Sequence, residues 1–216
     1  MKLDIISDTV CPWCYIGKKR LEKALTDSGR NDVEINWRPF RLDPSIPPEG
    51  VDRQEYLERK FGPEKMKEAG GALKEMGARE GIPFAFDKIE RSPNTLDSHR
   101  LILWAGSAGV QDEVVSLLFK AYFEEGKDIG DKDVLVAVAE EAGMEGDVVR
   151  DLLNSDADLK RIEYDDFQAR QMGITGVPCF LFENQFALVG AQDADTLVKV
   201  FDRIEMKLKE AAEVQG

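Results

Sequence analysis

β-strand character is confined to the two ends of this 216-residue chain, and that split constrains the fold more than any other feature. Lys2 to Ser7 reads as a short strand with Leu3, Ile5 and Ile6 apolar. A helical pattern follows, in which Trp13, Ile16, Leu21, Ala24 and Leu25 recur among Lys18, Lys19, Arg20, Glu22 and Lys23 until Gly29 stops it. Val33 to Trp37 then alternates apolar and polar as a second strand. Strand, crossover helix and strand make one βαβ unit with a parallel pair. Near the other end, Cys179–Phe182 and Phe186–Val189 flank the turn Glu183-Asn184-Gln185 and predict a β-hairpin. Asp193 opens a final helix whose Leu197, Val200, Phe201, Ile204 and Leu208 share one face.

Between these ends the chain is helical. Pro44, Pro47, Pro48 and Gly50 mark a loop over 39–50. Helical periodicity then predicts helices over 52–61, 63–79, 95–108, 111–126, 131–142, 146–154 and 156–173, with Asp131 as a cap. A βαβ end and a ββα end separated by helices imply an α/β protein: one sheet domain with an all-α insertion. The expected division is 1–45 and 160–216 for the sheet domain and 46–159 for the insertion.

Cys11-Pro12-Trp13-Cys14 falls directly after the first strand and at the start of the first helix. Pro12 suits the first helical position, where a missing N–H costs nothing. Cys11 then faces unsatisfied backbone N–H groups and the positive end of the helix dipole, which favour its thiolate. Cys14 lies one turn further in, within reach of a disulfide and more shielded. Cys11 is therefore expected to attack and Cys14 to resolve the mixed disulfide. A zinc site would need further ligands, and only Cys179, His99 and carboxylates are on offer, so no metal is expected.

The net charge of −13 argues against nucleic acid and against an anionic membrane surface, both of which require clustered Lys and Arg. No apolar run is long enough to span a bilayer, and Asp4 interrupts the apolar start of the chain, so a cytoplasmic location is expected. In a reducing compartment a close cysteine pair points to catalysis, redox sensing or metal binding rather than scaffolding.

Several stretches resemble the DsbA-like thioredoxin superfamily, within it the FrnE-like dithiol–disulfide isomerases. They are Asp8 to Gly17 around the cysteine pair, Trp37-Arg38-Pro39-Phe40, Asn94-Thr95 with His99-Arg100, Gly173 to Pro178, and Val189-Gly190-Ala191-Gln192. The resemblance implies a thioredoxin-like sheet with an inserted helical domain and a cis Val177-Pro178 bond beside the cysteines. It also implies extended thiol or disulfide clients, protein or peptide, with glutathione as a candidate redox partner and no other cofactor. Cys11 and Cys14 are then the catalytic pair. Pro12, Trp13, Val177, Pro178, Asn94 and His99 are the expected substrate-side residues. The related 2-hydroxychromene-2-carboxylate isomerases and kappa-class glutathione transferases carry serine where this chain has Cys11, which leaves a glutathione-dependent isomerase or transferase as the alternative. A redox sensor or binding module without turnover is a third reading. Trp13 replaces the histidine of the periplasmic Cys-Pro-His-Cys oxidants. The pair is accordingly expected to be less oxidising than their roughly −120 mV and nearer the thioredoxin value of about −270 mV.

Two residues admit opposite readings. His99, the one histidine, is either a base or a satisfied structural side chain among Leu96, Leu101, Leu103 and Trp104. Cys179 is either a small apolar strand residue or a third redox partner. The carboxylates Asp4, Asp8, Glu163, Asp165 and Asp166 are either buried proton carriers or, as expected for most of them, solvated surface charges, and none is assigned a role.

Overall fold

A computed structural model describes residues 1–215 of the chain, with side-chain surroundings through Glu210. The first strand, β1 (Lys2–Ser7), leads into α1 (Pro12–Asp27) and then β2 (Glu34–Pro39). The C-terminal end supplies β5 (Cys179–Phe182), β6 (Phe186–Val189) and α9 (Ala194–Gln215). Together they form a four-stranded sheet in the order β2-β1-β5-β6. β1 runs parallel to β2, with Leu3 opposite Ile35 and Ile5 opposite Trp37. It runs antiparallel to β5, with Ile5 opposite Phe180 and Ile6 opposite Cys179.

The period-2 alternation of β1 and β5 separates two buried faces. Leu3, Ile5, Phe180 and Phe182 point into the main core with Ile16 and Leu21 of α1 and Leu197, Phe201 and Ile204 of α9. Ile6, Cys179 and Leu181 point the other way, onto Phe40 and Ala169. Ala169 belongs to α8 (Leu159–Gln171), so helices cover both faces of the sheet.

The intervening chain forms α2 (Arg53–Phe61), α3 (Pro63–Arg79), α4 (Leu96–Ala108), α5 (Gln111–Phe123), α6 (Lys132–Glu141) and α7 (Gly146–Leu153). Asp131 caps α6 as expected, its carboxylate accepting from the backbone N–H of Asp133 at 2.7 Å. Two elements were not anticipated. A short ladder pairs β3 (Val51–Asp52) with β4 (Arg91–Ser92), and a 3₁₀ turn covers Phe86–Lys88. Val51 and Asp52 thus begin as strand, and Asp52 then caps α2 through the N–H of Glu55 at 2.9 Å.

The helical block does not have a core of its own. Tyr15 of α1 stacks on Phe119 of α5 with ring centroids 5.0 Å apart, and Phe119, Phe123 and Phe84 continue the aromatic cluster. One apolar core thus runs from the sheet into the insertion. Among the described residues, no helix is long and apolar enough to cross a membrane.

In α3, a methyl group added at Gly70 or Gly71 would meet no atom within 4 Å, whereas one at Gly77 would lie 2.4 Å from the Phe84 ring. Glycine in an exposed helix interior is destabilising by roughly 0.5–1 kcal/mol relative to alanine. Gly70→Ala and Gly71→Ala should each stabilise the protein by about that amount in urea titration, and Gly77→Ala should destabilise it. Loss of stability on either of the first two substitutions would contradict this packing.

Candidate active site around Cys11 and Cys14

The turn from β1 to α1 carries the two sulfurs. Ser7 closes β1, and the Asp8 carbonyl accepts the Cys11 N–H at 3.1 Å. Cys11 is the N-cap of α1 and stays extended, with φ −93° and ψ 112°. Its carbonyl accepts the N–H groups of Cys14 at 3.0 Å and Tyr15 at 3.3 Å. Pro12 occupies the first helical position, as its fixed φ and absent N–H favour. The Cys11 side chain makes no capping bond, so the sulfur is left at the positive end of the helix.

The C-terminal hairpin reaches the same place. The Val177-Pro178 bond is cis. The Cys11 sulfur lies 3.7 Å from the Val177 carbonyl oxygen. Gly17 makes this approach feasible: a methyl group there would sit 3.0 Å from Cγ of Pro178 and 3.4 Å from the Phe180 ring. The structure therefore brings together Cys11, Pro12, Trp13, Cys14, Val177 and Pro178. Trp13 is 40% exposed beside them, while Cys11 is 3% and Cys14 1% exposed.

All three cysteines are free thiols. Burial pushes the Cys14 thiol well above its ordinary pKa, and the adjacent Cys11 sulfur raises it further. The Ser7 hydroxyl and the Asp8 backbone N–H oppose that rise. Cys179 is also raised, by burial alone. It faces the opposite side of the sheet from Cys11 and Cys14, among Ile6, Phe40 and Leu181. The apolar-strand reading of Cys179 is the one this packing supports.

The side chains of Asn94 and His99 are engaged in hydrogen bonds within the protein. The Asn94 amide is consumed internally: it donates to the Ile46 carbonyl at 2.6 Å and accepts from the Leu96 N–H at 2.9 Å, ordering the start of α4. His99 is 3% exposed, and its Nε2 lies 3.3 Å from Oδ1 of Asp8. The expectation that Asp8 and Asp166 are solvated charges is corrected: they are 1% and 4% exposed. The other Asp8 oxygen accepts the Leu42 N–H at 2.7 Å, and Asp166 accepts the Arg41 N–H at 2.9 Å. Both carboxylates satisfy backbone donors of the loop after β2, which is the compensation a buried carboxylate requires. The signal for Asp8 was its position, between an apolar strand end and a helix-capping cysteine.

With this geometry established, comparison with known proteins places the chain. Residues 2–202 match the family model of the DSBA-like thioredoxin domain. The crystal structure of a probable DsbA oxidoreductase, SCO1869 from Streptomyces coelicolor, is 30% identical, covering 94% of this chain and 89% of that one with a TM-score of 0.86. A 2-hydroxychromene-2-carboxylate isomerase is 20% identical over 99% of both chains with a TM-score of 0.72. The cytosolic disulfide reductase DsbM from Pseudomonas aeruginosa, solved with glutathione, is 17% identical over 99% of this chain and 100% of that one, with a TM-score of 0.63.

The two raised thiols fix the sign of a pH dependence. Each keeps its proton to higher pH in the fold than in the unfolded chain, which ionises near pH 8.5, so the folded state binds more protons above that pH and loses stability as pH rises. The contribution is fully present below pH 8.5 and declines by at most about 1.4 kcal/mol per pH unit and thiol above it. In urea unfolding of the reduced protein between pH 7 and 10, Cys14→Ala/Cys179→Ala should show the shallower decline. Parallel profiles would contradict the burial of these thiols.

Proposed function

We propose that this chain, which belongs to the DsbA-like thioredoxin family, is a dithiol–disulfide oxidoreductase working through Cys11 and Cys14. The observation that carries the reading is the Cys11 sulfur at a helix N-terminus, 3.7 Å from the Val177 carbonyl, with Cys14 buried one turn behind. A Cys11 thiolate attacks one sulfur of a client disulfide. The Cys11–client bond forms, the client S–S bond breaks, and the departing sulfur takes a proton. Cys14, once deprotonated, attacks the Cys11 sulfur, closing the Cys11–Cys14 disulfide and releasing the client dithiol. Two equivalents of an external thiol restore the reduced pair and leave as a disulfide, and the same steps run backwards oxidise a client dithiol.

The substrate side is assigned to Trp13, Pro12, Val177 and Pro178. Trp13 offers an exposed aromatic face next to the attacking sulfur, and the Val177 segment offers backbone groups to an extended peptide. Glutathione is the proposed recycling thiol. The fold it shares with a disulfide reductase solved with glutathione supports that choice. A cysteine at position 11, where serine is characteristic of the glutathione-dependent isomerases, favours disulfide exchange over isomerisation. A reducing compartment such as the cytoplasm suits a pair that acts as a reductant.

Dithiothreitol-driven reduction of insulin tests this directly. The wild-type protein should accelerate it and Cys11→Ser should abolish the acceleration. Trp13→His should make the pair more oxidising in a glutathione redox titration, by supplying a charge-assisted partner for the thiolate. A wild-type protein inactive on insulin, or a Cys11→Ser variant that keeps its rate, would overturn the reading.

A further inference from the structure

We infer that His99 is a positioning residue for the Cys11–Cys14 pair, acting through the buried carboxylate of Asp8. This rests on the dithiol reading above. Asp8 links the Cys11 position to the helical block. Its carbonyl holds the Cys11 N–H at 3.1 Å. Its carboxylate is held from two sides, by the Leu42 N–H at 2.7 Å and by Nε2 of His99 at 3.3 Å. A shift of Asp8 would therefore move Cys11 relative to Cys14.

His99 comes from the first turns of α4, about ninety positions along the chain from Asp8. A second buried bond runs beside it: the hydroxyls of Thr9 and Ser98 are 2.9 Å apart, and Ser98 also donates to the Thr95 carbonyl at 2.9 Å. The start of α4 thus clamps two successive residues of the catalytic turn. The clamp is buried, with Asp8, Thr9, Ser98 and His99 all 3% exposed or less. In such surroundings a carboxylate deprived of one donor reorients to find another, because an unmet bond there costs more than at the surface. With Nε2 committed to Asp8, His99 makes no contact with either sulfur, which separates this role from that of a base.

Ring closure depends on the placement of both sulfurs, whereas the first attack depends on Cys11 alone. The two steps therefore distinguish positioning from substrate contact. The experiment follows the reduced full-length protein after mixing with oxidised glutathione, resolving Cys11 adduct formation from closure of the Cys11–Cys14 disulfide by acid quench and mass spectrometry. His99→Leu fills the space without a donor and should slow closure about tenfold, a small misplacement by the standards of oriented reactions. Adduct formation should stay within threefold of wild type. His99→Gln, whose amide nitrogen reaches a similar depth, should restore closure to within threefold. If the leucine variant does not fold, His99→Ala takes its place with the same expected split. Closure unchanged in the donor-less variant, failure of glutamine to restore it, or slowing confined to adduct formation would each overturn the positioning role. A wild-type protein that never closes the disulfide would instead overturn the dithiol reading itself.

Discussion

The pairing of β1 with β5 is the constraint on which the site depends. Cys11 and Val177 are separated by 166 positions, and no local turn can bring them together. The antiparallel register sets Ile6 opposite Cys179, so the chain leaving β1 toward Cys11 meets the chain entering β5 from Pro178. The meeting is secured at both edges: the Phe40 N–H donates to the Ser7 carbonyl at 3.0 Å and the Gly190 N–H to the Pro178 carbonyl at 2.8 Å. A slip of one residue would exchange Phe180 and Phe182 for Cys179 and Leu181 in the main core. The apolar faces on both sides of the sheet make that slip costly, and burial thereby fixes the chemistry.

The helical block contributes support to this arrangement rather than a separate body. Tyr15, next to Cys14, stacks on Phe119 at 5.0 Å, and its hydroxyl donates to Glu124 at 2.5 Å. Lys18, one turn further along α1, is buried between Glu22 at 2.5 Å and Asp112 of α5 at 2.8 Å. The face of α1 behind the cysteines is thus tied to the insertion by aromatic packing and by charge. Burial within this rigid backing raises the Cys14 thiol, which under the proposed mechanism must lose its proton before it resolves an intermediate.

Much of this was legible in the sequence because it is written locally. The strand before Cys11, Pro12 at the helix start, the Glu183-Asn184 turn and the Asp131 cap each combine a residue type with a position that its chemistry favours. The two-residue ladder of β3 and β4 was not legible, since two residues have no period and their partners lie some forty positions away. The side of the sheet taken by Cys179 was hidden for another reason. Cys179-Phe180-Leu181-Phe182 is apolar throughout, so only its register with β1 assigns the faces. Asp8 looked like a surface charge because its buried partners, the Leu42 N–H and the His99 ring, come from distant segments.

The central claim is that Cys11 alone attacks and Cys14 alone resolves, with Cys179 outside the chemistry. Peptide mapping of the Cys14→Ser variant after exposure to oxidised glutathione tests it most directly. The account predicts a stable mixed disulfide on Cys11, since the resolving sulfur is gone, and an unmodified Cys179 on the far face of the sheet. Glutathione attached at Cys179 with Cys11 unmodified, or a disulfide joining Cys11 to Cys179, would contradict it.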